Sequence, residues 1–164
     1  MASGQTLLIF NAQSGVPPAA NAPQLDTRNN HTVWDFDAAA NEILDFETLL
    51  PRNYAGGGLT VTLVWSATAA TTGVTRWLAS FERHQADTTD IDTNSFATAQ
   101  AVNATAPGTN GTRSYDAIAF TDGAQIDSLA VGESFRLRIE RDATNAADTM
   151  VGDAELARVE IRET

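Results

Sequence analysis

Catalysis of the serine-hydrolase type would need a histidine that takes a nucleophile's proton while a carboxylate orients it. The chain has two histidines, His31 and His84, far apart in sequence, and no G-x-S-x-G elbow to seat a nucleophile. Both are read as surface side chains. Asp90, Asp92 and Asn94 have the opening spacing of an EF-hand loop, but Ser95 stands where the turn needs glycine and Ala101 where the bidentate glutamate belongs. The acids of the loops 87–92 and 142–153 are therefore read as solvated, with calcium held between loops as the competing role. A glycosidase pair needs two carboxyl groups at a set separation, and among 21 acidic residues some pair always qualifies, so their number says nothing. Trp34, Trp65 and Trp77 have the ring area for stacking on a sugar, yet each falls in the apolar row of a strand and is read as core. No catalytic residue, cofactor or metal ligand is assigned.

The elements that position these residues are strands. Leu59-Thr60-Val61-Thr62-Leu63-Val64-Trp65 and Phe135-Arg136-Leu137-Arg138-Ile139 alternate apolar and polar side chains with period two, as a sheet with one packed and one wet face requires. Similar patterns predict strands near 6–10, 32–37, 43–49, 75–81, 96–102, 114–121 and 154–162, with one helical turn in 124–129. Gly56-Gly57-Gly58, Pro107-Gly108-Thr109-Asn110-Gly111 and Asp122-Gly123 mark turns. Eight or nine strands at this spacing give an all-β chain, a two-sheet antiparallel β-sandwich of jelly-roll type with an extended N-terminal arm. Residues 1–30 are read as that strand and arm, and 31–164 as the sandwich domain. Pro17-Pro18 keeps the arm extended. Its strand either joins its own sheet or reaches a neighbouring subunit.

Composition narrows the partners. All ten basic residues are arginine, there is no cysteine, and the net charge is −11. Disulfides and thiolate zinc sites are excluded. Nucleic-acid binding relies on basic groups that displace counterions, and this charge has the wrong sign. No run approaches the roughly 18 apolar residues of a membrane span, and Met1 to Gln5 shows no start of a signal peptide. Synthesis in a cytoplasm, without nucleic-acid or membrane partners, is expected. The sequons at Asn30, Asn103 and Asn110 are attributed to chance in an Asn/Thr-rich chain.

The order Val33-Trp34-Asp35-Phe36-Asp37, Phe46, Leu50-Pro51-Arg52-Asn53-Tyr54-Ala55-Gly56-Gly57-Gly58-Leu59-Thr60-Val61, Trp65, Thr75-Arg76-Trp77, with the ending Asp127-Ser128-Leu129-Ala130, Phe135-Arg136-Leu137, Arg141-Asp142, Asp148, Gly152-Asp153-Ala154 and Val159-Glu160-Ile161, resembles small jelly-roll virion proteins of tailed bacteriophages. The resemblance spans roughly 33–162. It implies a non-catalytic decoration or cement protein, a homotrimer on the outer capsid surface that bridges capsomers of the major capsid protein. In that role Leu7, Leu8, Ile9 and Phe10 of the arm, and Arg52, Asn53 and Tyr54 of the loop, are the candidate intersubunit contacts. The alternative is a tail-fibre or baseplate module that binds cell-surface carbohydrate, which predicts an exposed aromatic ring, Tyr54 or Tyr115, beside polar loops.

Overall fold

The computed structural model describes residues 4–164; Met1 to Ser3, the start of the N-terminal segment, lie outside the described residues. Ten strands are present among them: β1 (Thr6–Asn11), β2 (Gln24–Arg28), β3 (His31–Phe36), β4 (Glu42–Leu49), β5 (Leu59–Ala67), β6 (Val74–His84), β7 (Gln100–Thr105), β8 (Ser114–Phe120), β9 (Ser134–Arg141) and β10 (Ala154–Glu163). Short 3₁₀ turns occupy Ala12–Ser14 and Ala124–Ile126. All pairings between strands are antiparallel. One sheet runs β2-β3-β10-β5-β8, with β1 also paired to β10, and the other runs β4-β9-β6-β7. The chain is a two-sheet β-sandwich, as the alternating patterns predict.

The apolar rows of the two sheets face each other. Leu59, Val61, Leu63 and Trp65 of β5 are fully buried, as are Trp77 and Phe81 of β6 and Phe135, Leu137 and Ile139 of β9. Aromatic pairs join the layers. Trp65 meets Trp77 edge-on at 6.0 Å between ring centroids, Phe81 meets Phe120 at 4.9 Å, and Phe10 meets Phe46 at 5.1 Å. The first two are edge-to-face and the third is tilted by 34°; aromatic pairs add about 1 kcal/mol each beyond the area they bury. All three tryptophans are core, and Trp34 donates its indole N–H to the Ala12 carbonyl at 2.5 Å.

Of the two courses open to the N-terminal strand, β1 takes the one within its own chain: Ile9 lies opposite Glu160 and Phe10 opposite Val159 on β10. Phe10 is buried, and Leu7 and Leu8 pack against the core. Residues 15–23 follow the β4 edge of the same chain and bend at 19–21, where Asn21 has φ 59°. Val16 exchanges both backbone hydrogen bonds with Asp45, and the Asn21 carbonyl accepts from Ile43.

Three differences from the sequence pattern have physical causes. β2 has no counterpart in the sequence pattern; it is an edge strand whose side chains are mostly exposed, so no apolar alternation marks it. It returns to β3 through Asn29 and Asn30 at φ 45° and 63°, the left-handed conformations that a two-residue hairpin turn demands. β6 continues past Phe81 to His84, because its pairing with β9 runs on through Glu82 opposite Arg136 and Arg83 opposite Phe135 to His84 opposite Ser134. β7 begins at Gln100, not near 96, because Phe96 leaves the sheet to stack on Arg136 and Arg138 at 4.8 and 4.2 Å.

Candidate functional site

A pocket of about 340 Å³ lies on the outer face of the six-stranded sheet, lined by Ile9, His31, Val64, Arg113, Tyr115, Arg158 and Glu160. A second pocket, of about 200 Å³, shares His31, Arg113 and Arg158 and extends to Asn11, Gln13 and Asn30. The two form one groove. Its floor is set by register: Asn11, Arg158, Val64 and Tyr115 are opposite one another across β1, β10, β5 and β8, and Ile9, Glu160, Thr62 and Ala117 form the next row. At about 4.8 Å per strand, the first row spans roughly 14 Å.

Each lining residue has a local cause for being there. In β8, Ile118 and Phe120 point inward, so Tyr115, Ala117 and Ala119 point out. The alanines leave the Tyr115 ring standing free, 69 % exposed, and Ile9 across the groove is 67 % exposed. In β10 the side chains switch faces. Ala154 and Leu156 point inward, and so do Val159 and Ile161, because a bulge against β5 lies between Leu156 and Arg158. The extra residue, Ala157, turns Arg158 and Glu160 outward, where an unbroken alternation from Leu156 would have buried them.

Arg113 comes from the turn before β8. That turn is held at Gly111 (φ 75°), whose N–H donates to the Ala67 carbonyl at 3.0 Å. The Arg28 guanidinium packs against Gly111, so close that a methyl there would lie 2.8 Å from its nitrogen. Arg28 is itself fixed by the carbonyls of Ala67 and Thr68 and by Glu155 at 2.8 Å. His31 follows the Asn29-Asn30 turn and is exposed at the hairpin tip. The groove is thus assembled from a hairpin tip, a glycine turn, a bulged strand and two flanking strands.

Its charge is unlike that of the rest of the molecule. Six arginines, 28, 76, 83, 136, 138 and 141, pair with carboxylates. Among the described residues Arg52, Arg113, Arg158 and Arg162 make no such pair. Of these Arg113 and Arg158 line the groove, and the Arg113 Nη1 is both buried and without a hydrogen-bond partner. The one acid in the groove, Glu160, accepts a hydrogen bond from the Thr6 hydroxyl.

The other outer face offers a smaller cavity of about 140 Å³ beside Glu47, Glu82, His84 and Arg136. His84 lies 3.5 Å from the Ser134 hydroxyl and 3.9 Å from Glu82. A working triad needs contacts of about 2.6–3.2 Å, and the Glu82 oxygen facing His84 is already bonded to Arg136 at 2.6 Å.

The 52–54 loop lies elsewhere, at the end of the sandwich. It neighbours the start of β1 through Glu163, whose backbone pairs with Gly4 and Gln5 and whose carboxylate accepts from the Ala55 N–H at 2.9 Å. Tyr54, one of the two tyrosines expected to be exposed in a carbohydrate site, is buried. Its hydroxyl donates to the Gly57 carbonyl, and burial pushes its pKa up. Arg52 packs on Gly132, and Asn53 is exposed. In the acidic loops, Asp148 makes a bidentate pair with the fully buried Arg141, and Asp142 pairs with Arg76. Among the described residues no three acidic, histidine or cysteine side chains are grouped to hold a metal, and no helix is long and apolar enough to cross a membrane.

No protein-family model matches the chain, and no curated protein does. Solved structures do share its fold. A family 35 carbohydrate-binding module from Clostridium thermocellum superposes with a TM-score of 0.58 at 9 % identity, over 96 % of this chain and 98 % of that one. The module CBM6cm-2 of Cellvibrio mixtus lichenase 5A, solved with cellotriose, gives 0.53 at 11 % identity, over 98 % and 99 %. The CBM22-1 xylan-binding domain of Paenibacillus barcinonensis Xyn10C gives 0.53 at 10 % identity, over 99 % and 96 %. At such identities the likeness is one of fold: a jelly-roll sandwich matched from end to end.

Proposed function

We propose that this protein is a non-catalytic carbohydrate-binding module that holds a saccharide in the groove on its six-stranded sheet. The observation that carries the reading is Tyr115. It is a large aromatic ring left exposed on a sheet face, beside guanidinium, imidazole and carboxylate groups, in a chain whose tryptophans are all buried. A ring that offers an apolar face next to hydrogen-bonding side chains suits the mixed surface of a sugar. The end-to-end likeness to carbohydrate-binding modules supports the same reading. In a phage particle such a module would belong on a tail fibre or baseplate, where it meets the host surface.

The test is isothermal titration and affinity electrophoresis of the full chain against a panel of soluble polysaccharides. Binding to at least one of them, lost in Tyr115→Ala while the circular dichroism spectrum is kept, is the expected result. A folded protein that binds none of the panel overturns the reading.

The capsid decoration role is the second reading, with the major capsid protein and a homotrimer as its partners. It is favoured by exposed Val16 and Leu49 along the β4 edge, apolar surface that a subunit contact would cover. Light scattering that gives a trimer, and saturable binding to capsids lacking the protein, would support it.

A further inference from the structure

We infer that the groove selects anionic saccharides, those bearing carboxylate or sulfate groups, with Arg113 and Arg158 as the anion-binding residues. The inference rests on the carbohydrate reading and names the ligand's charge. In a chain of net charge −11, carboxylates are plentiful, and six of the ten arginines find one. Among the described residues Arg52, Arg113, Arg158 and Arg162 do not, and of these four Arg113 and Arg158 line the same two pockets. Two like charges held beside one groove repel each other, and an anion between them removes that cost. Glu160 keeps its negative charge, since the Thr6 hydroxyl gives it only one neutral hydrogen bond, but two guanidinium groups against one carboxylate leave the groove net positive.

Arg113 supplies an independent observation. Its Nη1 is buried without an acceptor, so this one donor of the half-buried guanidinium gives up hydration with no hydrogen bond in return. Charged donors left in this condition gain most from an ionised acceptor, because charge-assisted hydrogen bonds are roughly twice as strong as neutral ones. A guanidinium also matches the planar, two-oxygen edge of a carboxylate or sulfate. The turn that carries Arg113 is braced by Arg28, so the cation is held at the groove and not free to seek a distant carboxylate. Tyr115 at the far end of the row then stacks on the ring of the bound sugar.

The experiment compares four ligands on the full chain: oligogalacturonate, its methyl ester, a sulfated galactan and neutral xylan. The expected result is tight binding of oligogalacturonate or the sulfated galactan, and about tenfold weaker binding of the methyl ester and xylan. The first two ligands separate carboxylate from sulfate recognition. Affinity for the anionic ligand should fall as ionic strength rises from about 0.01 M to about 1 M, where the screening length shortens from about 30 to about 3 Å. Arg158→Gln, at an exposed position, should lose about tenfold for the anionic ligand and little for xylan, and Arg113→Gln should do the same. If xylan or the methyl ester binds as well as the acid, with no salt dependence, the inference falls and the carbohydrate reading stands. If a folded protein binds none of the four or of the wider panel, both fall.

Discussion

The two outer faces of the sandwich use arginine in opposite ways. On the four-stranded sheet, β4, β9 and β6 set Glu47, Arg136 and Glu82 in one row and Asp45, Arg138 and Ser80 in the next. Arg138 makes a bidentate pair with Asp45 at 2.8 and 2.9 Å, Arg136 bonds Glu82 at 2.6 Å, and Phe96 lies over both guanidinium groups. Opposite charges facing each other across strands satisfy the sheet locally and hold the loop 85–99 down. The Asn94 side chain and the Ala97 N–H complete that attachment through the carbonyls of Arg83 and Phe81, each at 2.8 Å. On the six-stranded sheet Arg28 at the edge pairs with Glu155. Among the described residues, however, no loop covers the row from Asn11 to Tyr115, and Arg113 and Arg158 beside it have no acid partner. The contrast separates arginines that bind the protein to itself from arginines with binding capacity to spare.

Substitutions can break that contrast, and the largest effect is expected on the covered face. Glu82 is fully buried, so Glu82→Ala removes the shorter of the two carboxylate contacts of Arg136, leaving Asp45 at 3.6 Å, and should cost about 2 kcal/mol in urea unfolding. Gly111→Ala acts on the open face through its backbone. Strain at positive φ and the approach to Arg28 should together cost about 1–2 kcal/mol, and displacement of the Arg113 turn should weaken ligand binding as well. Phe96→Ala should cost about 1 kcal/mol through lost cation–π contact, with limited proteolysis cutting first within 85–99.

A smaller, pH-dependent effect is expected at Asp35, also on the six-stranded sheet but away from the groove. Burial raises its carboxyl from 3.8 to about 6; the Thr68 hydroxyl opposes the shift, and Asp153, Glu155 and Asp26 add to it. The folded protein therefore binds this proton more tightly than the unfolded chain. Its contribution to stability is complete below pH 3.8 and is lost as pH rises through about 6. Asp35→Asn, which keeps the Thr68 hydrogen bond, should be more stable than the parent at pH 7, with the gap closing toward pH 4. Thermal melts across that range would show it. Arg158→Gln should change stability least, by under about 0.5 kcal/mol, while altering anionic-ligand binding most.

Much of the sandwich was legible because its strands keep strict alternation. Leu59 to Trp65 and Phe135 to Ile139 reveal both the strand and its buried face. The elements that were misread have side chains serving something other than the core: β2 presents an exposed edge, the end of β6 buries a charge, and Phe96 stacks on cations. The site was legible in one residue. The parity of Ile118 and Phe120 sends Tyr115 outward, whereas nothing local distinguishes it from Tyr54, whose hydroxyl turns back onto its own loop. His31, Arg113 and Arg158 come from three distant segments, and no local spacing links them. One signal was present in β10, where Leu156 and Val159 stand three apart between inward pairs; that break in parity marks the bulge that exposes Arg158.

The central position of β10 also has a consequence for biosynthesis. β1, β3 and β5 all hydrogen-bond to this strand, the last of the ten to leave the ribosome. Until it emerges, β1 has no partner and β5 has β8 alone, while the β2–β3 hairpin can form only by itself. The six-stranded sheet must therefore close late and nearly at once, a topology dominated by distant pairings that slows folding. A chain interrupted before residue 154 would present unpaired strand edges to its neighbours, the geometry from which aggregation starts.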